Sequence, residues 1–115
     1  MVIKKIIKAL KGSDKRAFPR IEYPPAQRPR FIVGKNEMLI LNLSVTGFSF
    51  LRDKQMPLEI GKWINGTIVF LNGKSIDTTG QVVWKTGGKV GLLLSGRIAY
   101  PIIEEQMSIY MTENP

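Results

Sequence analysis

The sequence predicts a mainly β fold, a small antiparallel barrel of six strands with a short helix at either end of the chain. Three observations predict it. From residue 30 onward, β-prone runs recur, parted by clusters of Gly, Asn, Lys and Pro. Two tight-turn dipeptides, Asn72-Gly73 and Gly87-Gly88, stand between successive runs. The chain has 115 residues, room for one domain and no second core.

The first expected element is helical. Val2, Ile3, Ile6, Ile7 and Leu10 fall at helical spacing, Lys4, Lys5, Lys8 and Lys11 take the other face, and Gly12 offers a stop. This reads as an amphipathic basic helix over residues 1–12. So short a helix is marginal alone in water and needs a surface: its own barrel in the first place, then a second subunit in a homodimer, then an anionic membrane. Residues 13–29, SDKRAFPRIEYPPAQRP, hold four prolines and show neither helical nor alternating periodicity. They read as an extended, mostly irregular and flexible basic leader.

Residues 30–115 supply the barrel and its helix. The strand runs are RFIVG, EMLILNL, TGFSFL, WINGTIVFL, SIDTTGQVVW and KVGLLL. Asn72-Gly73 predicts a type I′ hairpin turn with both central residues at positive φ. Phe48 and Phe50, two apart, share one strand face and belong to the core. Around Ile68, Val69, Phe70 and Leu71 both faces are apolar, which predicts cover on both sides of that strand or a closed sheet with a helix outside. After Gly96, apolar residues at Ile102, Ile103, Met107, Tyr110 and Met111, interrupted by Gln106, have helical spacing from just after Pro101, a favoured first-turn residue. They predict a C-terminal helix.

Composition narrows the function. There is no His and no Cys, so imidazole bases, thiolate nucleophiles, zinc sites and disulfides are all excluded. The remaining carboxylates and lysines show no catalytic pairing, and neither an enzyme nor a cofactor is expected. No apolar run approaches the roughly 18–20 residues of a membrane span, and the opening does not resemble a signal peptide. A cytoplasmic location is the default. The formal net charge is +8, and all of it resides in residues 1–35, which carry ten basic and two acidic side chains; residues 36–115 carry seven of each. A basic arm of this kind is either a solvated tail or an anion site.

Two polar signatures bear on that choice. In Arg16-Ala17-Phe18-Pro19-Arg20, Pro19 disfavours helical geometry at Phe18, so the two arginines lie on a loop or turn. Extended, their α-carbons stand roughly 13 Å apart, and their side chains could straddle a flat anionic ligand. In Asn42-Leu43-Ser44-Val45-Thr46-Gly47, polar residues alternate with apolar ones at a strand end, presenting an amide and hydroxyls on one face. Gly47 is expected to give the turn its freedom. The ordinary reading of this second signature is local side-chain to backbone bonding at a turn.

Taken together, an RxxxR motif in a basic leader and an [D/N]xSxxG motif between the first strands resemble the PilZ domain family of cyclic di-GMP receptors. The strand QVVW followed by VGLLL is similar to the family's ending, and the resemblance runs from about Lys15 to Met111. It implies a six-stranded antiparallel barrel with a C-terminal helix. It also implies that Arg16 and Arg20 bind guanine edges and phosphates, that Asn42 and Ser44 contact a guanine edge, and that Gly47 allows the base to approach. Asn42 departs from the Asp alternative in charge alone. Lys15 and Trp84 are secondary candidates, Lys15 as a cation for a second stacked nucleotide and Trp84 as an aromatic near the ligand. Trp63 reads as a barrel aromatic, and Arg28 and Arg30 as cations flanking the first strand. The resemblance further implies a conformational switch, in which the leader orders around the dinucleotide and signals to an unidentified downstream protein. Two alternatives stand beside it: a small barrel binding nucleic acid through the basic leader, which is not expected, and a ligand-free interaction adaptor.

Overall fold

Each run of alternating apolar residues forms a strand in the computed structural model, which describes residues 20–53 and 56–112, with side chains through residue 109. The expected helix over 1–12, together with Lys15 and Arg16, lies outside the described residues. In chain order the elements are β1 (Ile21–Glu22), a 3-10 turn (Pro25–Gln27), β2 (Arg30–Val33), β3 (Asn36–Leu43), β4 (Gly47–Leu51), β5 (Trp63–Val69), β6 (Ser75–Thr86), β7 (Lys89–Leu94) and α1 (Tyr100–Thr112).

All strand pairings are antiparallel, in the order β3-β2-β5-β6-β7-β4, and β4 pairs back onto β3. The six strands therefore close on themselves, which removes the free edges an open sheet would expose. The interior is filled from alternate positions. Phe31, Phe48 and Phe50 pack with ring centroids 4.8–5.9 Å apart, and Ile40, Ile64, Ile68, Val82, Val90 and Leu92 complete the buried lining. Phe48 and Phe50 are core residues, as their spacing predicts.

The short β1 is an addition to the six predicted strands. It pairs with the end of β3, Ile21 opposite Leu43 and Glu22 opposite Asn42. Pairing then resumes with the Ile40 N–H donating to the Pro29 carbonyl and with Arg30 opposite Leu39. β1 and β2 thus act as one strand interrupted by the loop 24–28, whose two leading prolines, Pro24 and Pro25, cannot donate to a ladder. Ile21 is fully buried and Tyr23 nearly so. Sequence periodicity could not find β1, because two residues contain no period.

The hairpin at Asn72-Gly73 exists, but its turn is not type I′. Only Gly73 has positive φ there, at 90°. The Gly73 N–H donates to the Phe70 carbonyl, the Phe70 N–H to the Lys74 carbonyl, and the Lys74 N–H to the Asn72 side-chain oxygen. This is a three-residue loop, a turn followed by a glycine bulge, in which Asn72 contributes its side chain rather than a left-handed backbone. Positive φ at two successive central residues occurs instead at Gly87 and Gly88.

The helix α1 has Pro101 in its first turn, where a missing N–H costs nothing. It packs beside β1 through Ile103, Gln106 and Met107. Gln106 lies on the buried face rather than interrupting it, and its Oε1 accepts a 2.8 Å hydrogen bond from the Tyr23 hydroxyl. The helix does not cover the outer face at Leu71, which is exposed. It meets the tip of that hairpin, where Glu105 accepts bonds from Asn72 and Lys74.

Candidate functional site

Two β-bulges shape the outer face of the barrel. Along β3 the buried residues are Met38, Ile40 and Leu43. The step from 40 to 43 breaks the two-residue period because the pairing with β4 shifts between Ile40 and Asn42. Leu41 is the extra residue, and in an unbulged strand of the same sequence Asn42 would fall on the same face as Ile40, inside the barrel. On β6 the pairing with β7 shifts between Val82 and Trp84. Val82 is buried, and Val83 and Trp84, although consecutive, are both exposed.

The two bulges direct their residues to one place. A groove with a cavity volume of about 200 Å³ is lined by Arg20, Asn42, Ser44, Thr46, Gly47, Phe48, Ser49, Val83, Trp84, Leu92 and Leu93. Asn42 and Ser49 are paired across β3 and β4. The indole of Trp84 lies over Gly91 of β7, its register partner; a Cβ on Gly91 would occupy the space of the ring. Trp84 keeps 40% of its surface exposed, so a fixed aromatic plane stands at one side of the groove, with Arg20 also at its margin.

Ser44 and Gly47 close the turn between β3 and β4. The Ser44 N–H donates to the Gly47 carbonyl at 2.8 Å, and the Ser44 hydroxyl donates to the same oxygen at 3.2 Å. The local bonding that a serine at a turn ordinarily makes is thus present. Because the hydroxyl proton is engaged, the oxygen is left to accept, which suits an N–H donor at the groove. Gly47 does not have the positive φ expected of a turn glycine. Its need is steric: a Cβ there would run into the Leu92 carbonyl oxygen of β7. The turn itself is made by Val45 and Thr46, and the missing side chain lets β7 close beneath the groove.

The fold thus brings together Arg20, Asn42, Ser44, Gly47 and Trp84, from three separated stretches of the chain. Lys15 and Arg16 lie outside the described residues. Trp63 is on the outer face, away from the groove, and Arg30 is paired with Glu37 at 2.7 Å. Thr46, whose hydroxyl the alternation of the second signature placed with Asn42 and Ser44, also lines the groove, and sequence reasoning missed Ser49, Val83 and Leu93. Gly91 within a strand, facing an aromatic across the ladder, was the available signal for a close approach. Among the described residues no three His, Cys, Asp or Glu side chains gather as a metal site would require, and no helix is long and apolar enough to cross a membrane. A larger depression, about 450 Å³, lies between β6 and the segment leading into α1, lined by Asp77, Thr79, Ser95, Arg97, Ile98 and Ile102 among others. It holds none of the residues proposed from the sequence to bind ligand.

Residues 14–100 match the model of the PilZ domain. Among solved structures, the inhibitor of motility MotI/DgrA of Bacillus subtilis is similar with a TM-score of 0.70 at 13% identity, over 89% of this chain. The chain spans about half, 54%, of that protein's length. An uncharacterized protein of Legionella is similar with a TM-score of 0.52 at 10% identity, over 82% of this chain and 87% of that one. These likenesses are of fold. No curated protein matches the chain by sequence.

Proposed function

The chain belongs to the PilZ domain family, a family of cyclic di-GMP receptors that are generally non-catalytic, and from that membership we propose that it is itself a cyclic di-GMP receptor. The observation that carries the reading is the gathering of Arg20, Asn42, Ser44, Gly47 and Trp84 around one groove. Cyclic di-GMP offers two flat guanines and two phosphodiesters. The groove has room for a single base, so the rest of the dinucleotide would lie outside it and require cover from elsewhere. Arg16, four residues before Arg20, supplies that cover together with the leader 13–20. A guanidinium fork matches guanine O6 and N7 as well as phosphate oxygens, and it stacks on purine faces.

In this reading Asn42 offers both a donor and an acceptor to a guanine edge, and the Ser44 oxygen accepts from a guanine N–H. Trp84 supplies an aromatic surface against which the base or the Arg20 plane can pack. The basic residues 1–35 attract the doubly charged ligand at long range. Ordering the leader costs about 1–2 kcal/mol per residue, offset by charge-assisted bonds and stacking. The ordered leader is the signal presented to a protein partner.

Calorimetric titration of the full chain with cyclic di-GMP, with GTP and cyclic GMP as controls, tests this. Selective binding is expected, weakened at least tenfold in Arg16→Ala and in Arg20→Ala. Absence of binding at high micromolar ligand, or unchanged affinity in either variant, overturns it. Oligonucleotide binding that falls log-linearly with salt and ignores Asn42 and Ser44 would instead favour a nucleic-acid barrel.

A further inference from the structure

We infer that residues 2–10 of this chain lie on an apolar strip of the barrel's own outer face, beside the groove. The strip is fixed by strand register. Gly47, Leu93, Gln81 and Trp63 are direct cross-strand neighbours in a row across β4, β7, β6 and β5, and directly opposed residues share a face. Leu93 is 50% exposed and Trp63 57%. Gln81 between them lies along the surface, its Nε2 donating to the Gly61 carbonyl. The Gly61 N–H donates to the Val82 carbonyl and the Val82 N–H to the Lys62 carbonyl, which sets the turn bearing Ile60, 64% exposed, against β6. Val83, pushed outward by its bulge, borders the same strip. Neighbouring outward positions on β5 and β6 are polar, Asn65, Thr67, Asp77 and Thr79. Exposure of Ile60, Trp63, Val83 and Leu93 together, beside these polar positions, makes an apolar patch of the kind that a packed segment covers.

The occupant follows from where the described chain begins. Arg20 lines the groove that this strip adjoins. Followed backward from its pairing of Ile21 with Leu43, β1 points toward the Val45–Thr46 turn, next to which Gly47 opens the row. Gly47 and Trp63 are three strand spacings apart, about 14 Å. Residues 11–19 reach about 30 Å when extended, and nine residues of helix measure about 14 Å. Val2, Ile3, Ile6, Ile7 and Leu10 offer a complementary apolar face, with Lys4, Lys5 and Lys8 left toward solvent. A tether this short holds the segment at an effective concentration of order mM, above what a second copy or a separate partner supplies.

The absence of Cys permits a clean test on the full chain. A nitroxide is attached to Lys8→Cys, on the polar face of the segment, and nuclear magnetic resonance of the ligand-free protein follows relaxation. Broadening of the Trp63 indole N–H and of the Gln81 and Leu93 amides is expected, unchanged on dilution. It should disappear when Ile3→Ser, Ile6→Ser and Ile7→Ser are combined with the label. No broadening along the strip overturns the inference, as does broadening that survives the three serines. Broadening of unlabelled protein by labelled protein would assign the strip to a second copy, and broadening only with anionic vesicles would assign the segment to a membrane; both outcomes reject it. None of these readings depends on whether cyclic di-GMP binds.

Discussion

Gly47 and Gly91 act through the side chain each lacks, and the two differ in what a side chain would strike. At Gly47 the obstacle is the backbone carbonyl of Leu92, held in the β4–β7 ladder. It cannot yield unless the strands part. Gly47→Ala should therefore destabilise the barrel by about 1–3 kcal/mol, read as a lowered urea midpoint. At Gly91 the obstacle is the Trp84 indole, a partly exposed side chain rather than backbone. Gly91→Ala should cost less stability and instead displace the ring, seen as a change in tryptophan emission, and cyclic di-GMP affinity should fall with it. Equal stability losses in both variants, with emission unchanged in Gly91→Ala, would reject this division. Neither requirement is legible from the sequence at that residue alone, because both depend on which strand lies across the ladder.

At the scale of elements, what the sequence made legible was period. Six strands and the C-terminal helix follow from spacings of two and of three to four, and each is present. The bulges at Leu41 and Val83 escaped because they are breaks in period, and in a run such as EMLILNL or GQVVW an extra apolar residue looks like continuation. The site is built at those breaks. Gln106 escaped for a related reason: a polar residue at a core position reads as an interruption unless its partner is known, and Tyr23 lies 83 residues away. That pair links the stretch after β1 to α1, and both groups are buried. Tyr23→Phe should leave the Gln106 amide without its donor and cost about 1–3 kcal/mol. Adding Gln106→Leu to Tyr23→Phe should recover part of that loss, since replacing both polar partners removes the unpaired group. A double-mutant cycle in urea measures the coupling, and strict additivity would mean that the bond contributes nothing.

For the whole molecule, the question is what joins the helix to a barrel that is already closed. Besides the buried face, α1 is fastened to the far hairpin through Glu105, whose carboxylate meets Lys74 at 2.8 Å and Asn72 at 2.9 Å. The Lys74 hydrogen bond, above all, holds the Glu105 carboxyl below its ordinary 4.5; desolvation opposes it, and the Lys74 charge and then the Asn72 amide add to the lowering. The sign of the pH dependence follows. A carboxyl with a lower value in the folded state favours folding wherever the unfolded chain is also ionised, so the contribution is fully present above about 4.5. As the pH falls the unfolded state takes up its proton first, and the advantage is lost through the folded value. Comparing urea midpoints of the native chain and Glu105→Gln from neutral pH to pH 3 should show a constant gap at first, closing as acid is added. The gap should be small, because the pair is at the surface, and it should shrink with salt. A gap that widened in acid would show that the carboxylate is not what fastens the helix to the hairpin, leaving Ile103, Gln106 and Met107 to hold α1 by burial alone.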